Sequence, residues 1–328
     1  MKQSLREKCE LLAENYTVIN KDFKWEFEIM TIVAASAYTN AGLQADPAKM
    51  KECREILKNK QGIFSDLRGI SELVLLSKMA IDRNPEAFLD EVIGVYDKIR
   101  GGKVFTTSYM VLCALLICEQ HKVGQADEVI DKMQEIMKKM RKEHPLLTGS
   151  EDMPLATVMA LMPEDSDKLI DEMEACYDIL KKKFPFHKDA VQGLCQVLCL
   201  SGSGTEEKCA KAADIFDALK KKGVKYGKST ELAALGALVD VNLDAAEIAE
   251  EIQEVSELLK KHKGFGNIAL GKEYRAMFAA LLVAQEYSAQ VVSTDATSIG
   301  SALALIIAEE IVMLILIAST TAASAANN

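Results

Sequence analysis

The chain has 328 residues, 49% of them hydrophobic and 6% aromatic, with six prolines and a formal net charge of −10. That length suits a couple of domains or one large repeat fold, and the shortage of Pro and aromatic residues favours helices over a sandwich or barrel. The acidic balance excludes a sequence-independent nucleic-acid binder, which needs a basic surface to displace counterions.

Residues 1–20 read as an amphipathic leader helix, with Leu5, Cys9, Leu12 and Tyr16 spaced to dock on a neighbour. The start, MKQSLREKCELLAEN, has no apolar run of the kind a secretory signal needs. FKWEFEIM follows at Phe23–Met30 and holds the only Trp. Its aromatics are expected to seal the open end of a helical stack.

From there the pattern repeats. An apolar helix is followed by a polar turn and an amphipathic helix, most plainly over Thr106–Lys142. Val129, Ile130, Met133, Ile136, Met137 and Met140 form one stripe of 3.6-residue period, while the helix before them, Ser108–Glu119, is apolar nearly all round. Second helices are predicted to start at Pro47, Pro85, Ala126, Glu164, Thr205 and Asp244, and to end at Lys60, Arg100, Arg141, Lys183, Lys222 and Lys263. The starts are 38 to 41 residues apart, a spacing within the range of two-helix α-solenoid repeats. Asp46 and Asn84 are placed to cap helices that open on Pro47 and Pro85, and Gly101 and Gly223 follow helix ends.

The expected fold is therefore all-α: about six two-helix repeats, apolar helices inside and amphipathic ones outside. Either an open α-solenoid or a closed α/α toroid satisfies the pattern. Residues 1–298 are expected to form one domain, with 299–328 an apolar C-terminal helix and frayed tail packed on it.

CELLAEN (Cys9–Asn15), FKWEFEIM and KNKQGIFSDLRG (Lys58–Gly69) resemble an all-helical bacterial family, common in Gram-positive bacteria and known only as a domain of unknown function. The resemblance covers essentially the whole chain. It implies an all-helical fold and brings no activity, substrate or catalytic residue.

Each outer helix begins acidic and ends basic, which complements the helix macrodipole. Parallel stacking would also bring the basic ends to one face together with the N-termini of the inner helices. There the loops FSDLRG, KVFTTSY, LLTGSED, FPFHKD, KYGKSTE and LGKEYR are expected to converge, with Ser108, Ser150, Ser229 or Thr230 available as helix caps. Arg68, Tyr109, Asp152, His187, Lys228 and Arg275 are the candidate ligand-binding residues, suited to a small anion or a protein segment.

GKST at Gly227–Thr230 is not a P-loop, since Lys222 stands where the first Gly belongs and no strand precedes it. The four histidines are scattered, and Cys195 and Cys199 share an apolar helix face, so no metal site and no cofactor is expected. Eight cysteines without a C-x-x-C read as reduced thiols of a cytoplasmic protein.

The leading expectation is a non-enzymatic scaffold. The enzyme alternative is a toroid hydrolase or lyase drawing its acid and base from Asp66, Asp152, Asp189 and Glu231. Ile299–Ala318 has spanning length but carries Glu309 and Glu310 and lacks basic flanks, so capping or homodimerisation is expected of it rather than membrane insertion. A C-terminally membrane-associated protein is the remaining alternative.

Overall fold

The structure, a computed structural model, describes residues 1–102 and 106–288. Among these residues the regular structure is helical, with no strand. The elements are α1 (Gln3–Asp22), α2 (Glu28–Asn40), α3 (Pro47–Lys60), α4 (Glu72–Ile81), α5 (Pro85–Arg100), α6 (Ser108–Glu119) and α7 (Ala126–Glu143). They continue as α8 (Met153–Ala160), α9 (Ser166–Lys183), α10 (Lys188–Leu198), α11 (Thr205–Lys221), α12 (Ala233–Gly236), α13 (Ala245–Leu259) and α14 (Lys272–Ser288). The expectations for residues 299–328, including a dimer through Ile299–Ala318, lie outside the described residues.

Local chemistry sets the boundaries. The Asp46 carboxylate accepts the Lys49 N–H at 3.0 Å with Pro47 in the first turn, and Asn84 does the same for Ala87 ahead of Pro85. Asp165 caps α9 through the Lys168 N–H at 2.8 Å, and Asp244 and Glu247 cap α13 reciprocally. Gly101 ends α5 in the left-handed conformation, at a φ of 51°, where a side chain would be strained.

Burial separates two sets of helices. Ten of the twelve residues of α6 are buried, against three of the fourteen in α3, so the even-numbered helices are the more completely buried set. In α12 the packing is close enough to fix a glycine: a Cβ on Gly236 would meet Val197 of α10 at 2.6 Å. The odd-numbered helices pack on their neighbours, α3 on α5, α5 on α7, and onward to α13. Ion pairs join them, the lysine near one helix end reaching an acid of the next helix: Lys60 to Asp90, Lys98 to Asp127, Lys139 to Asp167, Lys183 to Asp217 and Lys222 to Glu250.

Helix α1 touches both ends of this array. It packs on α2 and α3, and also on α13 and α14. Ser4 donates to Glu286 at 2.5 Å, Tyr16 meets Phe265 edge-on at 5.5 Å, and the Lys2 ammonium lies 3.8 Å from the centre of the Tyr287 ring. A small gap lined by Leu12, Thr39 and Phe278 marks where α1, α2 and α14 meet. All eight cysteines are buried, and none is in a disulfide. No described helix is long and apolar enough to cross a membrane.

Candidate functional site

The loops that carry the chain from an odd-numbered helix to the next even-numbered one lie side by side. Phe265, in the loop before α14, packs on Tyr16 of α1, whose hydroxyl donates to Glu28 at the start of α2. Arg54, late in α3, binds Glu26 of one loop and Glu72 at the start of α4. Asp66 accepts the Tyr96 hydroxyl at 2.7 Å, and His144 sits against Glu174 and Tyr177 of α9. Phe184 stacks edge-on against Phe216 at 5.1 Å, and Lys225 reaches Glu273 at 2.9 Å. These contacts tie each loop or helix start to a neighbouring helix along the face where the even-numbered helices begin.

Of the six residues the sequence nominates, three are engaged in building this face. Asp152 is buried, accepting the Gly149 N–H at 2.9 Å and the Gln192 amide at 3.1 Å, and burial pushes its carboxyl up to about 6. Arg275 is buried too: its guanidinium donates to Ser256 Oγ at 3.3 Å and to the Phe265 carbonyl at 2.9 Å. Tyr109 is buried in the first turn of α6. The other three are more open. Arg68 is half-buried and donates to the Gln61 carbonyl at 3.3 Å, His187 precedes α10 half-buried, and Lys228 is exposed with its ammonium 5.7 Å from the Phe216 ring centre.

The caps expected from hydroxyls come from carboxylates. Ser229 does not cap the helix it precedes with its side chain, and Thr107 and Gly149 rather than Ser108 and Ser150 hold the N-cap positions, whereas Asp152 and Glu231 fold back onto the N–H groups of Gly149 and Ser229. Burial raises the Glu231 carboxyl, and the charge on Glu273 adds to the effect. Asp66, Asp152 and Glu231 thus each close a hydrogen bond within or beside their own loop.

The feature that sequence reasoning missed is apolar. Trp25 is 99% exposed, Phe64 98%, Leu146 96%, Phe186 92% and Ile268 fully so, and each stands in a different loop of this one face. Of the aromatics in FKWEFEIM only Phe23 is buried, so Trp25 does not seal the fold as expected. The available signal is a lone apolar residue between polar or Gly/Pro neighbours, as in KWE, GIFSD and FPFH. Around these tips stand exposed cations that make no ion pair with any described residue, among them Lys24, Arg100, Arg141, Lys182 and Lys261. Among the described residues no group of three or more His, Cys, Asp or Glu side chains is placed to hold a metal ion.

A family described as a protein of unknown function (DUF4003) matches residues 15–311, nearly the whole chain, and the chain belongs to that family. No curated protein and no solved structure matches it.

Proposed function

We propose that this family member is a binding protein, built as a closed ring of helical pairs, whose loop face holds an anionic partner. The observation that carries the reading is the set of exposed, unpaired cations around the starts of the even-numbered helices, on a chain whose net charge is −10. Cations beside helix N-termini make a favourable field for an acidic protein segment or a small anion.

Ring closure is supported by α1, which packs on α2 and α3 on one side and on α13 and α14 on the other. In this reading the leader helix α1 is the outer member of a first pair with α2, which among the described residues makes seven pairs in the ring. An open superhelix would leave the first and last repeats apart. Eight buried cysteines without a disulfide favour a reducing compartment and so a cytoplasmic setting. The enzyme reading needs two carboxylates facing one cavity, and the hydrogen bonds of Asp66, Asp152 and Glu231 within the face favour structural roles for them.

The test is binding of polyglutamate to the full chain, followed by thermal shift and titration at increasing salt. Binding should weaken as salt rises, because exposed charges are screened over roughly 8 Å at physiological ionic strength. The double variant Arg68→Ala, Lys228→Ala should bind less well while staying folded, with only a small change in its melt. Binding that ignores both salt and these substitutions would overturn the reading.

A further inference from the structure

The loop face joins two properties that a small anion or an acidic segment does not use together. Its apolar side chains are single tips, not a contiguous patch, and Trp25, Phe64, Leu146, Phe186 and Ile268 stand almost wholly in solvent in five separate loops. Side chains so exposed contribute nothing to packing within the described residues. A rigid protein partner would need a matching pocket for each one. A fluid bilayer takes each tip independently, and Trp is at home at the headgroup level, where its ring is half in and half out of water.

The charges agree. Lys24 is next to Trp25, Arg141 precedes Leu146 by five residues, and Lys182 precedes Phe186 by four. The acids that open the odd-numbered helices, such as Glu86, Glu128 and Glu206, lie at the other end of the molecule; on the loop face Glu26 and Glu273 are paired with Arg54 and Lys225, while Glu151 and Asp189 stand exposed.

We infer that the loop face is a peripheral docking surface for an anionic lipid bilayer, with the apolar tips entering the headgroup region and the surrounding Lys and Arg contacting lipid phosphates. The inference rests on the reading of this face as an anion-binding surface and names its partner. It differs from the spanning mode that the sequence disfavours for Ile299–Ala318, because it uses loops of the folded ring and no spanning segment.

Trp25 is the only Trp in the chain, so its fluorescence reports this surface alone. The full-length protein is titrated with vesicles of zwitterionic lipid and with vesicles containing 30% phosphatidylglycerol, a fraction set at roughly the level where basic patches engage. Free protein should show the emission of a water-exposed indole. Anionic vesicles should shift it to the blue, added salt should reverse the shift, and lipids brominated near the headgroup should quench it. Phe64→Ala with Phe186→Ala should weaken vesicle binding by about tenfold or more, since two large apolar side chains are lost from the buried area. Polyglutamate binding and the thermal melt of that variant should be unchanged.

Equal binding to zwitterionic vesicles would overturn the anionic-surface inference. Emission already blue in the free protein would overturn it as well: independent of concentration, it assigns the tips to the chain's own residues 299–318, and rising with concentration, to a second copy. If polyglutamate binds and vesicles do not, the bilayer inference falls and the anion-binding reading stands. If neither binds, both fall.

Discussion

Asp152 offers a prediction with a sign as well as a size. Its carboxyl is buried between the Gly149 N–H and the Gln192 amide, and burial carries it from an ordinary value near 3.8 to about 6. The folded chain therefore holds this proton more tightly than the unfolded chain. The associated stability is fully present below pH 3.8, falls as pH rises through about 6, and is absent above it. By linkage the effect is about 3 kcal/mol.

Asp152→Asn keeps the shape and removes the charge. At pH 7.5 the variant should be more stable than the parent by about 2 kcal/mol, the linkage gain less about 1 kcal/mol for one weakened hydrogen bond. At pH 4 the advantage should vanish or reverse. Urea unfolding of both proteins at the two pH values measures the difference directly, and effects common to both cancel. A variant less stable by the same amount at both pH values would refute the reasoning, since it would mean that the carboxylate is charged and held by its two donors.

Other expectations follow from burial and close contact. Leu112→Ala and Leu194→Ala, both fully buried in even-numbered helices, should each lower the unfolding free energy by about 2–5 kcal/mol in chemical denaturation. Gly264 has a φ of +89°, and a Cβ there would meet the Tyr16 ring at 2.2 Å, so Gly264→Ala should cost about 2 kcal/mol or more and loosen α1 from the last loop. An unchanged melt would contradict the contact between α1 and that loop. Arg275→Ala leaves the Phe265 carbonyl without its buried donor and should cost about 2–4 kcal/mol, whereas Arg68→Ala, with one hydrogen bond at a half-buried site, should cost under about 1 kcal/mol.

The helices were legible because their ends are written locally. Starts at Pro47, Pro85, Ala126 and Thr205 match to the residue, since a capping residue or Pro stands beside them or the amphipathic stripe begins there. The pattern puts the starts at Glu164 and Asp244 slightly early because the acids there precede or cap the helix, and the end at Lys263 four residues late because the basic run continues into the turn after Leu259. The contact of α1 with α13 and α14 was not legible, for it joins residues more than two hundred positions apart and leaves no periodic trace.

The site was harder still. Arg275 and Lys228 look alike in sequence, both cations ahead of an apolar stretch, yet Ser256 and the Phe265 carbonyl enclose one of them and water surrounds the other. Hydrophobic patterning assigns apolar residues to the core, so it passes over Phe64 and Phe186, whose exposure is decided by how far their loops project.

Hydrogen exchange on the full chain, with and without the anionic partner, asks directly which face binds. With polyglutamate or anionic vesicles added, slowed exchange should be confined to the loops at 23–27, 61–71, 144–152, 184–187, 222–229 and 260–271. Slowed exchange at the opposite turns, 41–46, 82–84 and 199–204, or none at either end, would contradict the assignment of the loop face.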